Sequence, residues 1–128
     1  MTKTVLIVDD NEHLREILAS MLKFSGYEIV EAATGSEAIQ KAATTQPDLI
    51  LLDLDLPDIK GIDVAKRIKA TPEAAHIPII ACSASSGWES RDEALQAGMV
   101  EYLQKPIQFS VMKEIIDKFI LTTDRDRA

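Results

Sequence analysis

Short, continuously apolar runs alternate with longer stretches whose apolar residues recur every three or four positions, and the alternation happens five times along the chain. Val5-Leu6-Ile7-Val8 is apolar throughout, β-branched at three positions and ended by acids, the pattern of a strand covered on both faces of a parallel sheet. Leu49-Ile50-Leu51-Leu52 repeats that pattern, and Ile77 to Cys82 gives another apolar run. Tyr27 to Ala32 and Met99 to Leu103 complete five predicted strands. Between them, Leu14, Ile17, Leu18, Met21 and Leu22 predict an amphipathic helix over 11–25, with Asn11 as its N-cap and Gly26 as its stop. Helices are likewise predicted over 35–43, closed by Pro47; over 62–70 through Val64, Ala65 and Ile68; and over 88–97, stopped by Gly98. The last covers 107–121 with Val111, Ile115, Ile116 and Phe119 inward, and residues 122–128 form a polar tail or the start of a linker.

Strand and helix alternating without a tight hairpin turn require right-handed βαβ crossovers. The expected fold is therefore α/β: a doubly wound, five-stranded parallel sheet with helices on both faces, in a single domain. A length of 128 residues fits one such domain and is too short for two. The net charge of −7 argues against direct nucleic-acid binding, which depends on clustered Lys and Arg. No stretch has the apolar length of a membrane span, and the N-terminus lacks the long apolar core of a secretory signal. With one cysteine, Cys82, and hence no internal disulfide, these features lead to the expectation of a cytoplasmic protein.

In an open parallel sheet the carboxyl ends of the strands line one edge, so residues that follow separate strands converge there. Four such junctions carry Asp9-Asp10, Asp53, Ser83 and Lys105. Each has an ordinary reading by itself: the acid pair as a helix cap, Asp53 as a loop acid, Ser83 as a turn hydroxyl, Lys105 as a surface lysine. Together they predict one acidic, phosphate-handling cleft. Three carboxylates crowded in a cleft repel one another unless a cation intervenes, and oxygen ligands without His or Cys suit Mg²⁺. Asp53 is then a candidate nucleophile, with Ser83 and Lys105 placed to hold the equatorial oxygens of a transferring phosphoryl group. Cys82 reads as buried strand filler, and His13 and His76 as surface residues without a second ligand at metal spacing. Trp88 reads as a partly exposed residue at the start of the fourth helix.

The ordered set Asp9-Asp10, Asp53-Leu54-Asp55-Leu56-Pro57 with Gly61, Ser83-Ala84, and Tyr102 ahead of Lys105-Pro106 resembles the receiver domains of two-component response regulators, the chemotaxis-regulator-like, flavodoxin-like fold. The resemblance spans about 3–121. It implies that Asp53 is the phosphoacceptor, that Asp9, Asp10, Asp53 and the backbone carbonyl of Asp55 hold Mg²⁺, and that Lys105 contacts the phosphoryl group. It further implies a switch pair, Ser83 and Tyr102, a cis Lys105-Pro106 peptide, and a phosphodonor that is a sensor histidine kinase or a histidine phosphotransfer protein. Such a domain acts on a downstream protein or output domain and catalyses only its own phosphorylation and dephosphorylation; the resemblance also allows a homodimer through the last two helices and fifth strand. Leu56 and Ser83 stand where Met and Thr are commoner, changes that keep size and donor chemistry. Asp55 and Ser85 flank the site at positions expected to tune phosphate lifetime. Two rivals remain at this point. Asp53-Leu54-Asp55 resembles the motif of haloacid-dehalogenase-type phosphatases, although those carry it on their first strand, and a pseudo-receiver would keep the fold as a docking module without phosphorylation.

Overall fold

A computed structural model describes residues 2–84 and 88–127, with side chains for all of these except 88, 89 and 122–127. The elements run β1 (Thr4–Val8), α1 (Glu12–Phe24), β2 (Glu28–Ala32), α2 (Gly35–Thr45), β3 (Leu49–Asp53), α3 (Gly61–Lys69), β4 (Ile79–Ser83), α4 (Trp88–Gln96), β5 (Glu101–Gln104) and α5 (Phe109–Arg127). All strand pairings are parallel, in the order β2-β1-β3-β4-β5. The predicted doubly wound sheet is the observed one.

Why the apolar runs read so clearly is visible in the layers. Helices α2, α3 and α4 cover one face, where Leu6, Val8, Ile50, Leu52, Ile79 and Ala81 meet Ala38, Val64, Ile68 and Ala94. On the other face α1 and α5 bury Val5, Ile7, Leu49, Leu51 and Ile80 beneath Leu22, Met112, Ile116 and Ile120. A strand with both faces covered has no polar position to spare.

Local chemistry fixes the helix ends. The Asn11 side chain accepts from the Leu14 N–H at 3.0 Å and caps α1, as its place in the sequence predicts. Gly26 and Gly98 take positive φ just beyond α1 and α4, where a side chain would be strained. Thr34 caps α2 and the Glu37 carboxylate reaches back to the Ala33 N–H at 2.9 Å, a capping-box arrangement.

Several boundaries differ from expectation. Helix α2 continues to Thr45 and ends at Gln46 in the left-handed region, φ 46°. Strand β4 begins at Ile79 rather than Ile77: Pro78 has no N–H to give the ladder, although its carbonyl accepts from Ile50. Helix α5 extends to Arg127, past Leu121. Val111 is not inward; it is 42% exposed, because the buried face of α5 is centred on Met112, Ile116 and Ile120, with Ile115 and Phe119 at its flanks.

Candidate functional site

The sheet order reverses between β1 and β3, which lie side by side, and the carboxyl ends of these two strands place Asp9 and Asp53 at that switch point. Asp53 closes β3 and is 3% exposed; Asp9 follows β1 and is 4% exposed, while Asp10 faces solvent. One carboxylate oxygen from each of Asp9, Asp10 and Asp53 lies within 4.8 Å of the others. Lys105, beyond β5, bridges the two buried acids, with Nζ 3.1 Å from Asp53 Oδ2 and 3.3 Å from Asp9 Oδ2. Its main chain is fixed by an N–H bond of 2.8 Å to the Ser83 carbonyl, and the following peptide, Lys105-Pro106, is cis.

Each of the two buried acids is oriented by backbone. The Asn11 N–H donates to Asp9 Oδ1 at 2.8 Å, and the Asp55 N–H donates to Asp53 Oδ1 at 3.0 Å. Gly61 lets the start of α3 press on the end of β3. A Cβ there would lie 2.4 Å from Leu54 Cα and 3.0 Å from the Asp53 carbonyl, so no other residue fits without moving the strand end.

The electrostatics follow from this packing. Burial pushes the Asp53 carboxyl above its usual range; the Asp55 N–H and Lys105 pull against that, and the Asp9 charge adds to it. Burial alone would lower Lys105, but its hydrogen bond and charge contact with Asp53, joined by Asp9, raise it above the usual ammonium value. The attraction is shared equally, and the two groups end on different sides of the balance because burial costs Asp53, whose side chain is 4% exposed, more than it costs Lys105, which keeps 24% of its side chain in solvent. A cavity of about 460 Å³ beside the cluster is lined by Leu14, Leu18, Leu51 and Ile107 together with Asp9, Asp53 and Lys105.

The donor set fits a small hard cation. Carboxylate oxygens from three acids converge within 4.8 Å, a set of hard oxygen donors that suits Mg²⁺. Neither His nor Cys joins the cluster among the described residues. Cys82 is buried beneath it, its thiol pushed up by burial, as expected of strand filler; His13 and His76 are exposed.

The other predicted site residues fall as follows. Ser83 ends β4, buried, and its hydroxyl donates to Asp55 Oδ2 at 3.3 Å. The Ala84 N–H approaches the same oxygen at 3.5 Å. Thus the Asp55 carboxylate faces the end of β4. Tyr102 lies opposite Ala81 on β5, half-buried against the α2–α4 layer, on the same sheet face as Ser83. Ser85 and the Trp88 side chain lie outside the described residues.

Two contributors carry no signal in the sequence pattern. Arg15 of α1 donates to the Asp9 carbonyl at 2.7 Å and pairs with Glu31 at 3.1 Å, bracing the acidic loop. Asp58 accepts from the Gly35 and Ser36 N–H groups at 2.8 and 3.0 Å, which hold its carboxyl at about 2 and tie the β3–α3 loop to the start of α2. The only hint is composition: an arginine one turn into a helix and an acid in a Pro/Gly-punctuated loop.

An acidic, lysine-bridged cleft at the switch point of a 2-1-3-4-5 sheet defines a flavodoxin-type signalling or phosphate-handling domain. The family model of the response regulator receiver domain matches residues 5–117. The polar-differentiation response regulator DivK of Brucella ovis is 37% identical over 120 residues, 94% of this chain and 98% of that protein. Among solved structures, a CheY-like receiver domain protein from Methanospirillum hungatei superposes with a TM-score of 0.92 at 26% identity, covering 98% of this chain and 99% of that one. The receiver domain of the sensor histidine kinase PA1611 from Pseudomonas aeruginosa, with a magnesium ion coordinated in its active-site cleft, gives 0.86 at 32% identity over 94% of this chain and 98% of its own. The chain belongs to the response regulator receiver domain family. It is a two-component signalling module, and the position of the Asp53 motif on the third strand, not the first, disfavours the dehalogenase-type reading. No helix among the described residues is long and apolar enough to cross a membrane.

Proposed function

We propose that residues 3–121 accept a phosphoryl group on Asp53 from a phosphohistidine donor, a sensor histidine kinase or histidine phosphotransfer protein, and convert it into an altered protein-binding surface. The observation that carries the reading is the buried Asp53 carboxylate with Lys105 Nζ at 3.1 Å and the Asp9 and Asp10 oxygens beside it. Asp53 attacks phosphorus, an O–P bond forms, and the donor's P–N bond breaks with its electron pair leaving on the imidazole nitrogen. Asp9, Asp10, Asp53 and the Asp55 carbonyl would hold Mg²⁺, which when bound would neutralise charge on the transferring oxygens. Lys105 is already within reach of the oxygen that carries the new group, and offers its ammonium to the phosphoryl oxygens. Ser83, whose hydroxyl ends the neighbouring strand, donates to another of them, and the movement passes to Tyr102 on the same sheet face. Such signalling takes place in the cytoplasm, where the donor kinase domains and ATP are found.

The test is intact mass after acetyl phosphate treatment. One adduct that needs Mg²⁺, is lost in alkali and is absent from Asp53→Ala supports the reading. No adduct, together with no beryllofluoride binding, favours a docking module instead.

A further inference from the structure

Asp55 flanks the cleft without joining the cluster of Asp9, Asp10 and Asp53. Its N–H orients Asp53, while its carboxylate accepts from the Ser83 hydroxyl at 3.3 Å and from the Ala84 N–H at 3.5 Å. Both donors sit at the end of β4, the point that must approach Asp53 if Ser83 is to reach a phosphoryl oxygen. A serine hydroxyl has one proton to donate, and a donor held by a carboxylate is held more firmly than one held by a neutral acceptor.

We propose that Asp55 is a positioning residue that holds the resting state: its carboxylate competes with the phosphoryl group for the Ser83 hydroxyl. The idea rests on the phosphoacceptor reading of Asp53 and the switch reading of Ser83. When Asp53 carries a dianionic group two residues away, the second anion draws the hydroxyl across and repels the Asp55 carboxylate, so the bond at β4 exchanges rather than simply forms. The bond to Asp55 is thus part of what the phosphoryl group must overcome. Asp55 is exposed, so solvent screens it and the effect is modest.

The test is beryllofluoride affinity in saturating Mg²⁺ for four full-length proteins: wild type, Asp55→Asn, Ser83→Ala and the double variant, followed through the Ala84 amide resonance. Weakening the competing acceptor should tighten binding about threefold in the Ser83 background. It should tighten binding at most about 1.5-fold in the Ser83→Ala background, since the hydroxyl it acts through is gone. The ligand-free Ala84 resonance of Asp55→Asn should also move toward its bound position, a change that loss of mere charge in the cleft does not produce. An equal gain in both backgrounds means Asp55 acts only by repelling the anion, and overturns the proposal; so does wild-type affinity in Asp55→Asn. Failure of wild type itself to bind overturns the phosphoacceptor reading and this proposal with it, and is told apart from the other outcomes by that protein alone.

Discussion

Replacing Asp53 by Asn should stabilise the metal-free protein and blunt its response to Mg²⁺. Asp53 is 3% exposed and its carboxyl is raised by burial and by Asp9, so in the folded state its ionised form is disfavoured relative to the unfolded chain. A group raised in this way contributes full stability below its unfolded value, near 3.9, and loses it as pH rises through the folded value. At neutral pH the Asn variant is freed of that penalty. It forfeits the Lys105 contact at 3.1 Å, but Lys105 keeps Asp9 at 3.3 Å. The lift on the Asp53 carboxyl is already net of Lys105, so the amide removes a penalty, and a gain on the order of 1 kcal/mol, the usual size of a single-site effect, is expected. For a chain of this length that is about 4 °C in melting temperature.

The assay is thermal unfolding followed by circular dichroism across pH 4 to 8, with and without Mg²⁺. Without metal, the advantage of Asp53→Asn should be near zero at the acid end and grow toward neutrality. With Mg²⁺ at ten times its dissociation constant, wild type should gain about 1.4 kcal/mol, roughly 5 °C, and the variant less than half of that because one of its three carboxylates is gone. A variant that melts below wild type without metal would refute the argument that burial dominates at Asp53. Equal Mg²⁺ increments would remove Asp53 from the metal site.

Lys105→Met strips the buried acids of their counter-charge: metal-free stability should fall by about 2 kcal/mol and Mg²⁺ affinity should rise, while acetyl phosphate labelling slows about tenfold or more, read by melting, metal titration and mass spectrometry. Gly61→Ala drives a Cβ to 2.4 Å from Leu54 Cα and should lower stability by about 2–3 kcal/mol in urea unfolding, with the slope unchanged. Tyr27→Phe removes the phenol's hydrogen bond to Asp117, which retains Lys113 at 2.8 Å; a loss of about 1 kcal/mol is expected, and no loss would show that the bond tying the residue before β2 to α5 contributes nothing net.

The strands and the clustering of the acids were legible in the sequence for one physical reason. Val5–Val8 and Leu49–Leu52 are buried on both faces, so every position had to be apolar, and the first polar residue after each run marks the sheet edge where Asp9 and Asp53 meet. Helix α5 was less legible. Val111, Met112, Ile115, Ile116, Phe119 and Ile120 occupy so much of its circumference that spacing alone does not pick the centre, and packing under Leu49 and Leu51 selects Met112, Ile116 and Ile120. Arg15, Asp58 and the Asp55 carboxylate were not legible at all as to their partners, because each bonds a group on another element whose distance is set by the tertiary fold.

Those three unpredicted contacts locate where the site can yield. The loop after Asp53 is pinned by the Gly61 N–H to the Leu54 carbonyl at 3.1 Å, by Asp58 to α2 at 2.8 and 3.0 Å, and by the Asp55 N–H to Asp53 itself at 3.0 Å. The acidic loop is braced by Arg15 at 2.7 Å. Against these, the bonds from the end of β4 to Asp55 are long, 3.3 and 3.5 Å, and their acceptor is exposed to competing water. On the proposed reading, a new anion on Asp53 meets a rigid floor on the β1 and β3 side, whereas at the end of β4, where the Ser83 carbonyl stays tied to the Lys105 N–H at 2.8 Å, the side-chain and Ala84 bonds to Asp55 are the easier ones to exchange. On the proposed switch reading, the Ser83 hydroxyl is expected to exchange partners first, with the displacement running toward β5 and Tyr102 rather than back through Asp9 and Asp10.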